Sequence, residues 1–144
     1  MAEPILIGCD HAALELKSFL VGVLEERGFT VWDVGTHSAD SCDYPDFAHA
    51  LCKRIEEGDA PRGILVCGTG VGMSISANRH AGIRAVVCSE PLSACMSRLH
   101  NDSNVLCLGA RVIGIETARD ILEAWLGAEF EGGRHQRRVD KLTP

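Results

Sequence analysis

GILVCGTGVG, running from Gly63 to Gly72, decides the fold. Its first half, Gly63–Cys67, is a short apolar run with branched residues and no polar interruption. A strand of a parallel sheet, buried on both faces, reads this way. Its second half, Gly68-Thr69-Gly70-Val71-Gly72, is a glycine loop that turns the chain out of the strand. Four further runs share the first half's character: Ile5–Cys9, Phe29–Val34, Ile83–Cys88 and Val105–Gly109. Helical spacing fills the gaps between them. Leu14, Leu16, Leu20, Val23 and Leu24 recur at helical intervals and stop at Gly28. Phe47, Leu51 and Ile55 stop at Gly58, and Ile113, Ala118, Ile121, Leu122 and Trp125 stop at Gly127. Each glycine suits a helix C-terminus. Alternating strands and helices predict an α/β fold, a three-layer α/β/α Rossmann-like sandwich on a five-stranded parallel sheet.

The 144 residues supply one domain, and no linker, repeat or low-complexity tract divides residues 1–144. Hydrophobic residues make up 46% and charged residues 24%, which excludes a disordered chain. The net charge of −6 argues against a nonspecific nucleic-acid binder. No apolar run approaches a membrane span, and no signal peptide is expected. The seven cysteines include no CxxC, so zinc ribbons and thioredoxin-type redox chemistry are not expected. Mostly structural thiols in a reducing cytoplasm are.

Polar residues gather after the predicted strands: Asp10 and His11, then Cys67 and the glycine loop, then Ser89 and Glu90, then Ala110 and Arg111. Open parallel sheets bind ligands outside the carboxyl ends of their strands. The loop is no dinucleotide fingerprint. It follows the third strand, and Met73 stands where the last glycine of GxGxxG belongs. It is no P-loop either, because it lacks Gly-Lys-Ser/Thr. Its bare N–H groups at a helix N-terminus can hold a phosphate or a developing oxyanion. The same position can lower a thiol pKa, which makes Cys67 a candidate base or nucleophile. A tight turn beside a core cysteine is the plainer alternative.

Two further clusters carry chemistry. His100-Asn101-Asp102 closes a helical stretch and offers a titrating imidazole beside an amide, or simply a cap. His37, His49 and His80 have no such neighbours and read as surface residues. The basic segment Arg134–Lys141, on a helix expected over about 133–142, sets Arg134 and Arg138 on one face. Two guanidinium groups there suit a phosphate, and Arg111 is a candidate third member. A solvated basic tail is the alternative.

Seven segments in order carry a family resemblance: GCDHAA from Gly8, DYPDFA from Asp43, CGTGVGMSISAN from Cys67, GIRAVVCSEP from Gly82, SRLHND from Ser97, LGARVIG from Leu108 and EGGRHQRRV from Glu131. Together they resemble the ribose-5-phosphate isomerase B branch of the ribose/galactose isomerases. The resemblance implies an aldose–ketose isomerase that uses neither cofactor nor metal. It interconverts ribose 5-phosphate and ribulose 5-phosphate. Cys67 would be the base, Thr69 would take part in proton handling and His100 would assist ring opening. Asp10, His11, Tyr44, Gly68, Gly70, Val71, Gly72, Asn101, Arg111, Arg134 and Arg138 would bind the sugar phosphate. The resemblance also implies a homodimer or a dimer of dimers with a shared active site. His100, Arg134 and Arg138 would reach that site from the neighbouring chain. A second branch of the family uses a glutamate as base, and Met73 occupies the matching position. A hexose 6-phosphate such as allose or galactose 6-phosphate is an alternative substrate. A noncatalytic sugar-phosphate-binding protein is the rival outside enzymes.

Overall fold

The computed structural model describes residues 2–144. Five strands form one parallel sheet: β1 (Pro4–Cys9), β2 (Thr30–Asp33), β3 (Gly63–Cys67), β4 (Ala85–Val87) and β5 (Val105–Gly109). Six helices alternate with and follow them: α1 (Leu14–Glu26), α2 (Tyr44–Glu56), α3 (Val71–Ala77), α4 (Pro91–Asn101), α5 (Ile115–Leu126) and α6 (Arg134–Asp140). The strand order is β2-β1-β3-β5-β4. The chain therefore leaves β1 toward one edge and re-enters at β3 on the other side. The crevice between the carboxyl ends of β1 and β3 is a topological switch point, where open α/β sheets bind ligands.

Period-two alternation builds two cores. Ile5, Ile7, Ile64, Val66, Leu106 and Leu108 face α1, α4 and α5, where Leu20, Leu24, Ala94 and Trp125 meet them. Leu6, Leu65, Cys67, Val105 and Cys107 face α2 and α3, where Leu51, Cys52 and Met73 pack. Fully burying one such aliphatic side chain contributes about 1.5–3 kcal/mol. The sandwich read from the sequence is thus present.

Several boundaries differ. The fourth apolar run joins the sheet only from Ala85. Ile83 N–H donates to His80 O in a turn, and Arg84 N–H donates to the Asn104 side chain. The second run is trimmed to Thr30–Asp33, because Phe29 N–H still closes the end of α1 on Leu24 O. Gly28 and Gly58 take the left-handed conformation expected of them, whereas Gly127 ends α5 in a right-handed one. The basic helix is Arg134–Asp140, shorter than the expected 133–142.

Candidate active site

The glycine loop lies across the carboxyl ends of β3 and β5. Cys67 pairs with Gly109 there, and Ala110 and Arg111 N–H donate to Cys67 O and Gly68 O at 2.9 Å. Gly70 sits at φ +80, and a Cβ on it would stand 2.9 Å from the Leu108 carbonyl carbon. Only glycine fits that position without displacing a neighbour. A Cβ on Gly72 would fall 2.5 Å from the Tyr44 ring, so this glycine admits the tyrosine rather than the turn. Arg111 lies along Gly68, its Nη1 3.5 Å from where a Cβ would project.

Cys67 is 5% exposed, and Gly70 N–H donates to its Sγ at 3.2 Å. Val71 N–H goes to Thr69 Oγ1, while the Thr69, Gly72 and Met73 N–H groups have no acceptor among the described residues. Because α3 has only seven residues, these individual N–H groups matter more than a macrodipole. The other buried thiols receive no backbone N–H, and Cys9 lies near Lys17, Asp33 and Asp10. Burial pushes Cys9 and Cys88 up to about 11 and Cys52 to about 12, and drives Cys107 higher.

At the end of β1, Asp10 is buried and uses Oδ1 to accept Ala12 N–H at 3.0 Å, while Oδ2 has no hydrogen-bond partner among the described residues. His11 follows, and its Nδ1 accepts the Cys42 N–H at 3.2 Å with the Cys42 thiol 3.6 Å away. Cys42 is a neighbour that sequence reading missed, for it stands 31 residues from His11. Glu90 corrects an expectation. Its carboxylate caps α4 by accepting Ser93 N–H at 3.0 and 3.1 Å, and those bonds lower its pKa. It is a helix cap, not a member of the site.

His100, Asn101, Arg134 and Arg138 stand elsewhere. The segment following α4 is fixed to the start of β3, since Gly63 N–H donates to Asn104 O at 3.0 Å. Cys67 is at the other end of that strand, about 13 Å away at the usual strand rise. Asn101 opens onto a groove of about 710 Å³ with Ile83, Arg84, Ser103 and Val139. His100 Nε2 meets Glu131 Oε1 at 3.3 Å, and its ring stacks on His135 at 4.2 Å. Both arginines are exposed on α6, beside these rings. Arg111 therefore does not join Arg134 and Arg138 within one chain.

Two other histidines lie at the surface as expected, yet have partners there. His49 and His80 are hydrogen-bonded at 2.7 Å, and His80 reaches Glu56 at 2.7 Å. They are paired, not isolated, and their separations of 31 and 24 residues hid them.

A thiol among backbone amides at a switch point, with Tyr44, Asp10 and Arg111 around it, can be set beside known proteins. The family model described as Ribose/Galactose Isomerase matches residues 5–142. The chain belongs to the ribose/galactose isomerase family. Ribose-5-phosphate isomerase B of Escherichia coli is 55% identical over 141 residues, covering 98% of this chain and 95% of that protein. D-erythrulose-4-phosphate isomerase of Pectobacterium atrosepticum is 46% identical, covering 96% and 91%. Among solved structures, ribose-5-phosphate isomerase B of Clostridium thermocellum superposes with a TM-score of 0.95 at 50% identity, covering 96% and 94%.

Proposed function

We propose that residues 1–144 act as a single ribose-5-phosphate isomerase domain working in pairs, in the cytoplasm. The carrying observation is the Cys67 sulfur held by Gly70 N–H inside a loop of unpartnered amides. Removing a proton beside a carbonyl builds charge on its oxygen and gives an enediolate. Cys67 takes the proton from C2 and returns it to C1, with Thr69 beside it handling a hydroxyl proton. Among the Gly68–Gly72 amides, the unpartnered N–H groups of Thr69 and Gly72 stabilise the oxyanion, and losing one such donor costs about 2.7–4 kcal/mol. Asp10 takes part in hydroxyl proton movement through Oδ2. Tyr44 walls the sugar, and Val71 and Gly72 bound it below. His11 and Arg111 hold polar oxygens at this pole.

Ring opening and phosphate capture need the other pole. His100 protonates the ring oxygen, Asn101 donates to a sugar oxygen, and Arg134 with Arg138 clamps the phosphate. A strand's length separates the poles of one chain, so a second copy supplies them. Exposed Val71, Ile75, Val87 and Leu92 offer apolar surface for that pairing.

NMR of ribose 5-phosphate in D2O tests the reading. Ribulose 5-phosphate with deuterium exchange at the transferred position supports it. Neither product nor exchange would identify a sugar-phosphate-binding protein instead. The Pectobacterium relative shows that the family also contains a tetrose phosphate isomerase by name. A panel of tetrose, pentose and hexose phosphates, allose and galactose 6-phosphate included, should be turned over fastest at the pentose.

A further inference from the structure

Outside the carboxyl-end site, one side-chain group has the composition and spacing of a metal centre. His100, Glu131 and His135 each offer one ligand atom, and these atoms lie within 4.8 Å of one another. Glu131 Oε1 stands 3.3 Å from His100 Nε2 and 3.6 Å from His135 Nε2. Ligands about 2.0–2.1 Å from a tetrahedral ion stand about 3.3–3.4 Å apart. The two carboxylate–imidazole edges are close to that spacing, and the stacked imidazoles must turn for both nitrogens to converge on the ion.

The backbone sets this arrangement. Glu131 N–H donates to Leu99 O at 3.0 Å, which fixes the carboxylate beside the last turn of α4. His135 N–H donates to Gly132 O at 3.0 Å, starting α6 so that Glu131 and His135 lie four residues apart on one side. His135 is buried, and its ring is held parallel to His100 at an interplanar angle of 13°. Arg134 and Arg138 are exposed, so water and salt screen their repulsion of a further cation.

We propose that His100, Glu131 and His135 bind one divalent transition-metal ion of the zinc class, completed by water, and that the bound ion stops isomerisation by retaining His100. Two imidazoles and a carboxylate suit zinc, and three protein ligands with an open position form a common zinc geometry. The inhibitory half rests on the functional reading above, in which His100 opens the sugar ring. The binding half does not.

Cobalt(II) titration of the metal-stripped full-length protein tests binding. One equivalent per chain should produce intense visible bands of tetrahedral cobalt without thiolate charge-transfer bands. His135→Gln and Glu131→Gln should each abolish them. No bands at one equivalent, bands that persist in both variants, or thiolate bands would overturn the site. Zinc should then abolish ribose 5-phosphate turnover in the wild type, and EDTA should restore it. His135→Gln should keep its activity in the same zinc. A wild type that isomerises at the metal-free rate with zinc bound would overturn the inhibitory half. A metal-free wild type unable to isomerise the sugar would instead refute the functional reading, and the cobalt result would still decide the site.

Discussion

The carboxyl ends of the strands and the opposite pole are built by different means. At the carboxyl ends, backbone does most of the work: loop amides, a glycine with positive φ, and a thiol held by a peptide N–H. At the other pole, side chains do it: two stacked imidazoles, a carboxylate and exposed guanidinium groups. The first arrangement is fixed once the sheet forms. The second can be moved, recruited or captured. A reaction that needs proton transfer to within a fraction of an ångström is suited to the first pole. Capture of an incoming anion is suited to the second.

The sharpest way to break this contrast is Cys67→Ala. It should lower kcat by about 10²–10⁴-fold while ribose 5-phosphate still binds. Near-normal turnover would remove Cys67 from its role as base. Mixing that variant with His100→Asn tests whether the poles cooperate between chains. Random reassociation makes about half the pairs hybrids, each with one intact site, so about a quarter of the wild-type rate should return. No recovery after exchange of subunits would place each site within one chain. Arg134→Ala should reduce kcat/KM by about 1.5–3 kcal/mol, mostly through KM. An unchanged KM would take Arg134 out of the phosphate clamp.

The smallest effect concerns three other buried thiols, Cys9 in β1, Cys52 in α2 and Cys88 just after β4. Cys9 and Cys88 are raised from 9.0 to about 11, and Cys52 to about 12. The folded state keeps protons that the unfolded chain releases, so their stabilising contribution is complete below about pH 9. It is lost as pH rises through 11 and 12, because the unfolded state there binds fewer protons. The Tm should fall steadily above pH 9. A flat Tm up to pH 11 would show that burial does not govern these groups.

Much of the fold was readable because a buried parallel strand must be apolar throughout, as Gly63–Cys67 and Val105–Gly109 are. Loop glycines at 68, 70 and 72 marked the carboxyl-end pole for the same kind of reason: backbone must come close to other groups there. Strand order was not readable, since crossovers of similar length suit several orders. Without it, the distance between Cys67 and His100 could not be judged. Glu131 and His135 were also missed. Their four-residue spacing would place them on one helical side, but nothing local joins them to His100. Glu90 was misread because a carboxylate after a strand looks alike whether it binds a ligand or caps the next helix.

The position of β5 has a consequence for how the molecule is made. It fills the gap between β3 and β4, although both precede it in the chain. On a ribosome, the residues through Val87 emerge first and cannot yet form the finished sheet. The Cys67 edge of β3 stays unpaired until Val105–Gly109 arrives and Gly109 slides beneath Thr69. The glycine loop is therefore shaped late in synthesis, and any nascent chain released before Gly109 carries an open strand edge ready to pair with another chain.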